Sequence, residues 1–153
     1  MKIVVTDGES WLNDMHELDL DRMVWSPVHA GGQLPSKRSC PSWCKEGSYV
    51  YMFGGFDGVH RMNDFFACNL DMYTWLEMPC SGALPSPRYF HSSAVFANKM
   101  YVFGGYNGSE RLADMYEYDF ETHVWSPIEG RYEGVERLLL GKVVPGVCGP
   151  YRV

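Results

Sequence analysis

Tryptophan returns at Trp25, Trp75 and Trp125, an interval of 50 residues kept twice without slippage. Asp14, Asp64 and Asp114 keep the same interval, as do Gly8, Gly58 and Gly108. The whole stretch 101–125 is a rewriting of 51–75, and a shortened version runs from Asp7 to Trp25. A chain that repeats itself at a period of 20 to 50 residues builds a repeat architecture, in which one supersecondary unit is stacked on its own copies.

Each copy reads as short strands separated by Gly, Pro, Asp or Asn turns. In the second and third copies residues 48–53 and 99–103 are almost continuously apolar and aromatic, the pattern of a strand covered on both faces. Each is expected to stop at a glycine pair, Gly54-Gly55 or Gly104-Gly105, where a side chain would block an unusual φ angle or a close backbone approach. Asp-Gly and Asn-Gly turns follow at 56–62 and 106–112, then strands at 63–69, 73–78, 113–119 and 123–128. In the first copy, strands are expected at 2–5, 12–18 and 23–28, with Val4 and Val5 in the places of the glycine pair. A Gly/Pro-rich link at 29–37 aligns with 79–87. Arg38 and Arg88 open the strands that follow, and Pro41 puts the 39–45 strand at a sheet edge, because proline cannot donate to a ladder. Four short strands per copy, with helical periodicity absent before the C-terminal part, predict an all-β chain. Sheets covered on both faces and repeated in register predict propeller blades, with one indole per copy filling the gap between neighbours and burying on the order of 200 Å².

The joint pattern carries a resemblance. The glycine pair after an aromatic strand, Leu12-Asn13-Asp14 and Met62-Asn63-Asp64, the spaced tryptophan, and Pro85-Ser86-Pro87-Arg88-Tyr89-Phe90-His91-Ser92 together resemble the kelch repeat over residues 7–128. The expected fold is an incomplete kelch-type β-propeller of about three four-stranded antiparallel blades, with copies at about 1–28, 39–78 and 88–128. Three departures stand out: the missing glycines of the first copy, Pro41 where the third copy has His91, and Ala113 where the other copies have Asn13 and Asn63. After Ile128 the register fails, and residues 129–153 read as a divergent segment with one strand at 137–144 and a tail. Closed propellers have about four to eight blades. Three imply a fragment of a longer chain, two chains completing a six-bladed ring, or an open arc, in that order of preference. Open blade faces would invite self-association.

Composition narrows the function. The formal net charge is −6, the wrong sign for a nucleic-acid partner. No apolar run has the ~18 residues of a membrane helix. Of the five cysteines, Cys40, Cys44, Cys68, Cys80 and Cys148, none recurs at the repeat period. The odd count favours a reducing compartment, and a cytoplasmic location is expected. No metal or cofactor site is expected. Asn107-Gly108-Ser109 matches a glycosylation acceptor but falls in a repeat turn. Phosphate loop, nucleophile elbow and zinc-protease motifs are all missing. Asp14, Asp64 and Asp114 are expected to cap turns or bind backbone N–H groups, since a catalytic residue would break the symmetry of the copies.

Recognition is therefore expected in the turns. In an up-and-down blade the second and fourth strands run the same way, so the turns leaving them share one face. That face presents Phe56, His60, Arg61, Tyr106, Glu110 and Arg111, and aromatic and arginine side chains are the usual interface anchors. Arg61 and Arg111 align with each other and fit a framework role equally well. The kelch resemblance implies a protein–protein interaction module or scaffold. Its alternatives are part of a kelch-like enzyme or metal-dependent specifier protein, or the substrate-receptor part of a ubiquitin-ligase adaptor.

Overall fold

In the computed structural model, Lys2–Ile3 and residues 12–129 are described. The positions of Val4, Val5 and Gly8 and the expected strand at 137–144 lie outside them. The described residues form thirteen strands and no helix: β1 (Lys2–Ile3), β2 (Met15–Asp19), β3 (Val24–Val28), β4 (Gly31–Gly32), β5 (Ser42–Glu46), β6 (Tyr49–Phe56), β7 (Arg61–Asn69), β8 (Thr74–Glu77), β9 (Ser81–Gly82), β10 (Ser92–Phe96), β11 (Lys99–Tyr106), β12 (Arg111–Asp119) and β13 (Val124–Pro127).

They make three sheets, in the orders β1-β2-β3, β4-β8-β7-β6-β5 and β9-β13-β12-β11-β10. The four long strands of the second and third sheets form antiparallel meanders in identical register: Val50 faces Cys68 as Met100 faces Tyr118. This is the expected blade, written twice, with one addition. The Gly/Pro link supplies a two-residue fifth strand, β4 or β9, parallel to the outermost strand of the sheet it leads into. The link then crosses the end of that sheet and enters its opposite edge. β5 is thus an edge strand, as Pro41 implied, but β10 is an edge strand without proline, so the topology sets the position.

The glycine pairs do not end their strands. β6 and β11 run through them with a bulge: pairing jumps from Phe53 to Gly55 and from Phe103 to Gly105. Gly54 and Gly104 have φ of +63° and +65°, and a Cβ on Gly54 would lie 2.7 Å from the Arg88 carbonyl oxygen. Turn chemistry is equally local. Asp19, Asn69 and Asp119 each accept two backbone N–H bonds from the residues two and three ahead, the Asx geometry that reverses a chain. Met23, Tyr73 and His123 follow with φ of 54°, 51° and 59°.

Side-chain alternation decides how the sheets stack. One face of the second sheet sends Met52, Phe66, Cys68 and Trp75 against Met15 of the first. Its other face sends Phe53 and Phe65 against Met100, Val102, Tyr118 and Trp125 of the third. Covered on both sides, β7 buries Phe65, Phe66, Ala67 and Cys68 consecutively, whereas β11 alternates. Trp75 and Trp125 are 3 % and 1 % exposed and fill the two gaps, but Trp25 is 46 % exposed. The expectation of a buried indole per copy fails there because, among the described residues, no sheet lies beyond the first.

Candidate interaction face

The face is built from the buried arginines upward. Arg88, fully buried, is held by the link it terminates: Nε donates to the Ser86 carbonyl and Nη2 to Ser86 Oγ. Nη1 reaches the Gly104 carbonyl, and the guanidinium grips Asp114 through both carboxylate oxygens at 2.6 and 2.9 Å. Arg38 repeats every contact with Ser36, Gly54 and Asp64. A planar fork of donors suits this bidentate grip. The expectation that Asp64 and Asp114 cap turns or bind backbone N–H groups is therefore corrected: they are the counterions of the buried arginines, and Asn69 and Asp119 cap the turns. Asp14 lies 2.8 Å from His16 instead. The second and third copies share the aspartate because it makes the same lock between link and bulge in both.

A second strap joins successive sheets. Asn13 Nδ2 donates to the Pro35 carbonyl and Asn63 Nδ2 to the Pro85 carbonyl, each at 3.1 Å. The third copy has Ala113 in place of the asparagine, which removes the donor.

On this rigid end an aromatic ladder crosses from the second sheet to the third. The Arg61 guanidinium carbon lies 5.2 Å from the Phe56 ring centre. Phe56 stacks on Tyr89 at 5.2 Å and 22°. Tyr89 meets Phe90 at 4.8 Å and Tyr106 edge-on at 5.7 Å, and Tyr106 Oη donates to the Gly108 carbonyl. A Cβ on Gly108 would come within 2.5 Å of the Arg61 guanidinium, so glycine there admits the arginine from the neighbouring turn. Backbone bonds fix the cluster from below: Gly55 N donates to Arg88 O, and Phe90 N to Cys40 O.

Of the six residues expected on this face, Phe56, Arg61 and Tyr106 belong to the ladder. His60 is exposed beside it, 3.5 Å from Asp57, whose carboxyl is held below the usual range by the backbone N–H groups of His60 and Val59. Glu110 and Arg111 are exposed at the turn, with Arg111 opposite Tyr106 in the strand pairing. Sequence reasoning missed Tyr89 and Phe90. Their signal was a break in the repeat: the second copy has Ser39 and Cys40 in those places. Phe90 is 57 % exposed at φ +59°, a conformation bulky residues rarely adopt. Below it, His91 is buried with Nε2 donating to the Phe53 carbonyl at 3.0 Å. Burial, and then the charge of Arg88, push its pKa down to about 4.

Nothing in the ladder is a nucleophile paired with a base. Among the described residues no cluster of three or more His, Cys, Asp or Glu could hold a metal ion, and no helix is long and apolar enough to cross a membrane. What the face offers is aromatic area with the Arg61 guanidinium over one of its rings. A family model described as the KLHDC2/KLHL20/DRC7 Kelch-repeats domain matches residues 3–136. A comparison with curated proteins found no match.

Proposed function

The chain belongs to the kelch-repeat family, whose domains are generally non-enzymatic interaction modules, and from that premise we propose that its partner protein docks on the aromatic ladder Phe56–Tyr89–Phe90–Tyr106 with Arg61. The observation that carries this reading is Phe90. The fold holds a large apolar side chain in a costly backbone conformation and leaves most of it in water, on the face where the copies cease to resemble one another. Tyr89 packs against it, and Phe56 and Tyr106 hold Tyr89 in turn. Such a rigid aromatic anchor loses little entropy on binding and is the usual centre of an interface hot spot.

The test is Phe90→Ala. The melting temperature should hold or rise slightly, because an exposed side chain is removed. Capture of the partner by the purified chain, read after crosslinking and mass spectrometry, should fall at least about tenfold, the scale of one hot-spot residue. Glu110→Ala, on the same face but off the ladder, serves as control. Equal capture by Phe90→Ala and the unaltered chain overturns the assignment.

A further inference from the structure

The first and third sheets carry the two halves of a contact that the chain already makes internally. Between the first and second sheets Trp75 Nε1 donates to Met15 Sδ at 3.2 Å, and both side chains are buried. Trp25 is the same indole one copy earlier, and Met115 the same thioether two copies later. Between the second and third sheets the pairing differs, because Trp125 meets Phe65. The Trp–Met combination thus occurs once within the chain, and its parts occur once more at opposite ends. Around Trp25 the surface is apolar: Leu20 and Met23, in the turn that leads into its strand, are 63 % and 69 % exposed. Patches of this kind mark association surfaces.

We propose that two copies of this chain dock end to end, the Trp25 face of one on the Met115 face of the other, and that the contact is made twice to close a ring of six sheets. The contact continues the stacking already established between successive sheets. Six sheets lie within the range of about four to eight in which propellers close, and a rotation that closes yields a finite dimer rather than a fibre. The loss of the asparagine strap points the same way. Where a sheet is followed by another of this chain, Asn13 or Asn63 holds the incoming link. The third copy has Ala113 in place of that asparagine, and an alanine side chain cannot donate the bond, which suits a neighbour arriving without a covalent link.

Sedimentation equilibrium of the 153-residue chain at high micromolar concentration tests this. A mass of about 35 kDa is expected, twice the 17.5 kDa of one chain. Trp25→Arg and Met115→Arg should each give the single-chain mass while keeping the unaltered circular dichroism spectrum. The two variants mixed should form a mixed pair, because one copy keeps Trp25 and the other keeps Met115, so one good contact survives; a face-to-face dimer could not show this. A single-chain mass for the unaltered protein overturns the proposal, whether residues outside 12–129 or further sheets cover the ends. A dimer that survives both substitutions also overturns it, since another surface must then hold it.

Discussion

His91 stands where the second copy has Pro41, and its imidazole is a pH-sensitive strut between two sheets. Nε2 carries the proton given to the Phe53 carbonyl, while Nδ1 is buried without a hydrogen-bond partner, so a second proton would have no acceptor. The folded pKa of about 4 lies below the ordinary imidazole value of 6.5. A depressed pKa contributes stability that is present above the unfolded value and lost as pH falls toward the folded one. Unfolding free energy should therefore drop by about 1.4 kcal/mol per pH unit from this group as pH falls from 6.5 toward 4. Urea titrations across that window should show the slope in the unaltered chain and a flatter profile in His91→Gln. Equal slopes would assign the loss to other groups. Asp57 and Asp119, whose carboxyls are held below the usual 3.8 by backbone N–H groups, lose their contribution only below that window.

At the level of the strand, the bulge is the device on which the blade depends. Gly105 has φ +102°, and a Cβ there would lie 2.8 Å from the Tyr89 carbonyl oxygen and 2.9 Å from His91 Cβ. Neither neighbour can retreat, because one is a backbone carbonyl and the other is the Cβ of the buried residue just before β10. Gly105→Ala should cost roughly 3 kcal/mol or more, strain and collision together. Gly47, between β5 and β6, has φ +53° but open space around it. Gly47→Ala should cost only about 1–2 kcal/mol, the left-handed penalty alone. Denaturant melts of the two variants compare the two costs directly; similar losses would mean that the close approach contributes nothing. The glycine pair was plain in the sequence together with both of its reasons. That the strand continues beyond it was not, because the pairing partner that rescues it, Met62 for Gly55 and Leu112 for Gly105, belongs to the next strand.

Across the whole molecule, stability resides in the two seams. Trp125 packs on Phe53, Phe65 and Tyr118 with centroids 5.1, 5.7 and 5.1 Å away. Tyr118 Oη closes the seam by donating to the Pro79 carbonyl at 2.7 Å, and burial raises its pKa. Trp125→Ala should remove about 3–5 kcal/mol, as large-to-small changes in a packed core do. A thermal melt that shifted no more than for a surface substitution would show that the sheets are not held together by this indole.

What the sequence determined by itself was everything carried by short-range chemistry and by period. The all-β class, the 50-residue unit, the turns at Asp57 and Asn107, the glycine pairs and half of the aromatic face follow from residues that act on their own neighbourhood. Tertiary structure alone decided what depends on partners distant in the chain. Asp64 and Asp114 look like caps until Arg38 and Arg88 arrive 26 residues away. Trp25, identical in spacing to Trp75 and Trp125, is exposed because burial belongs to a pair of sheets and not to a residue. Tyr89 and Phe90 joined the face only when the link carried them across the end of the third sheet to Phe56. A side chain's type sets what it can do locally, but which group it meets is a property of the closed path of the chain.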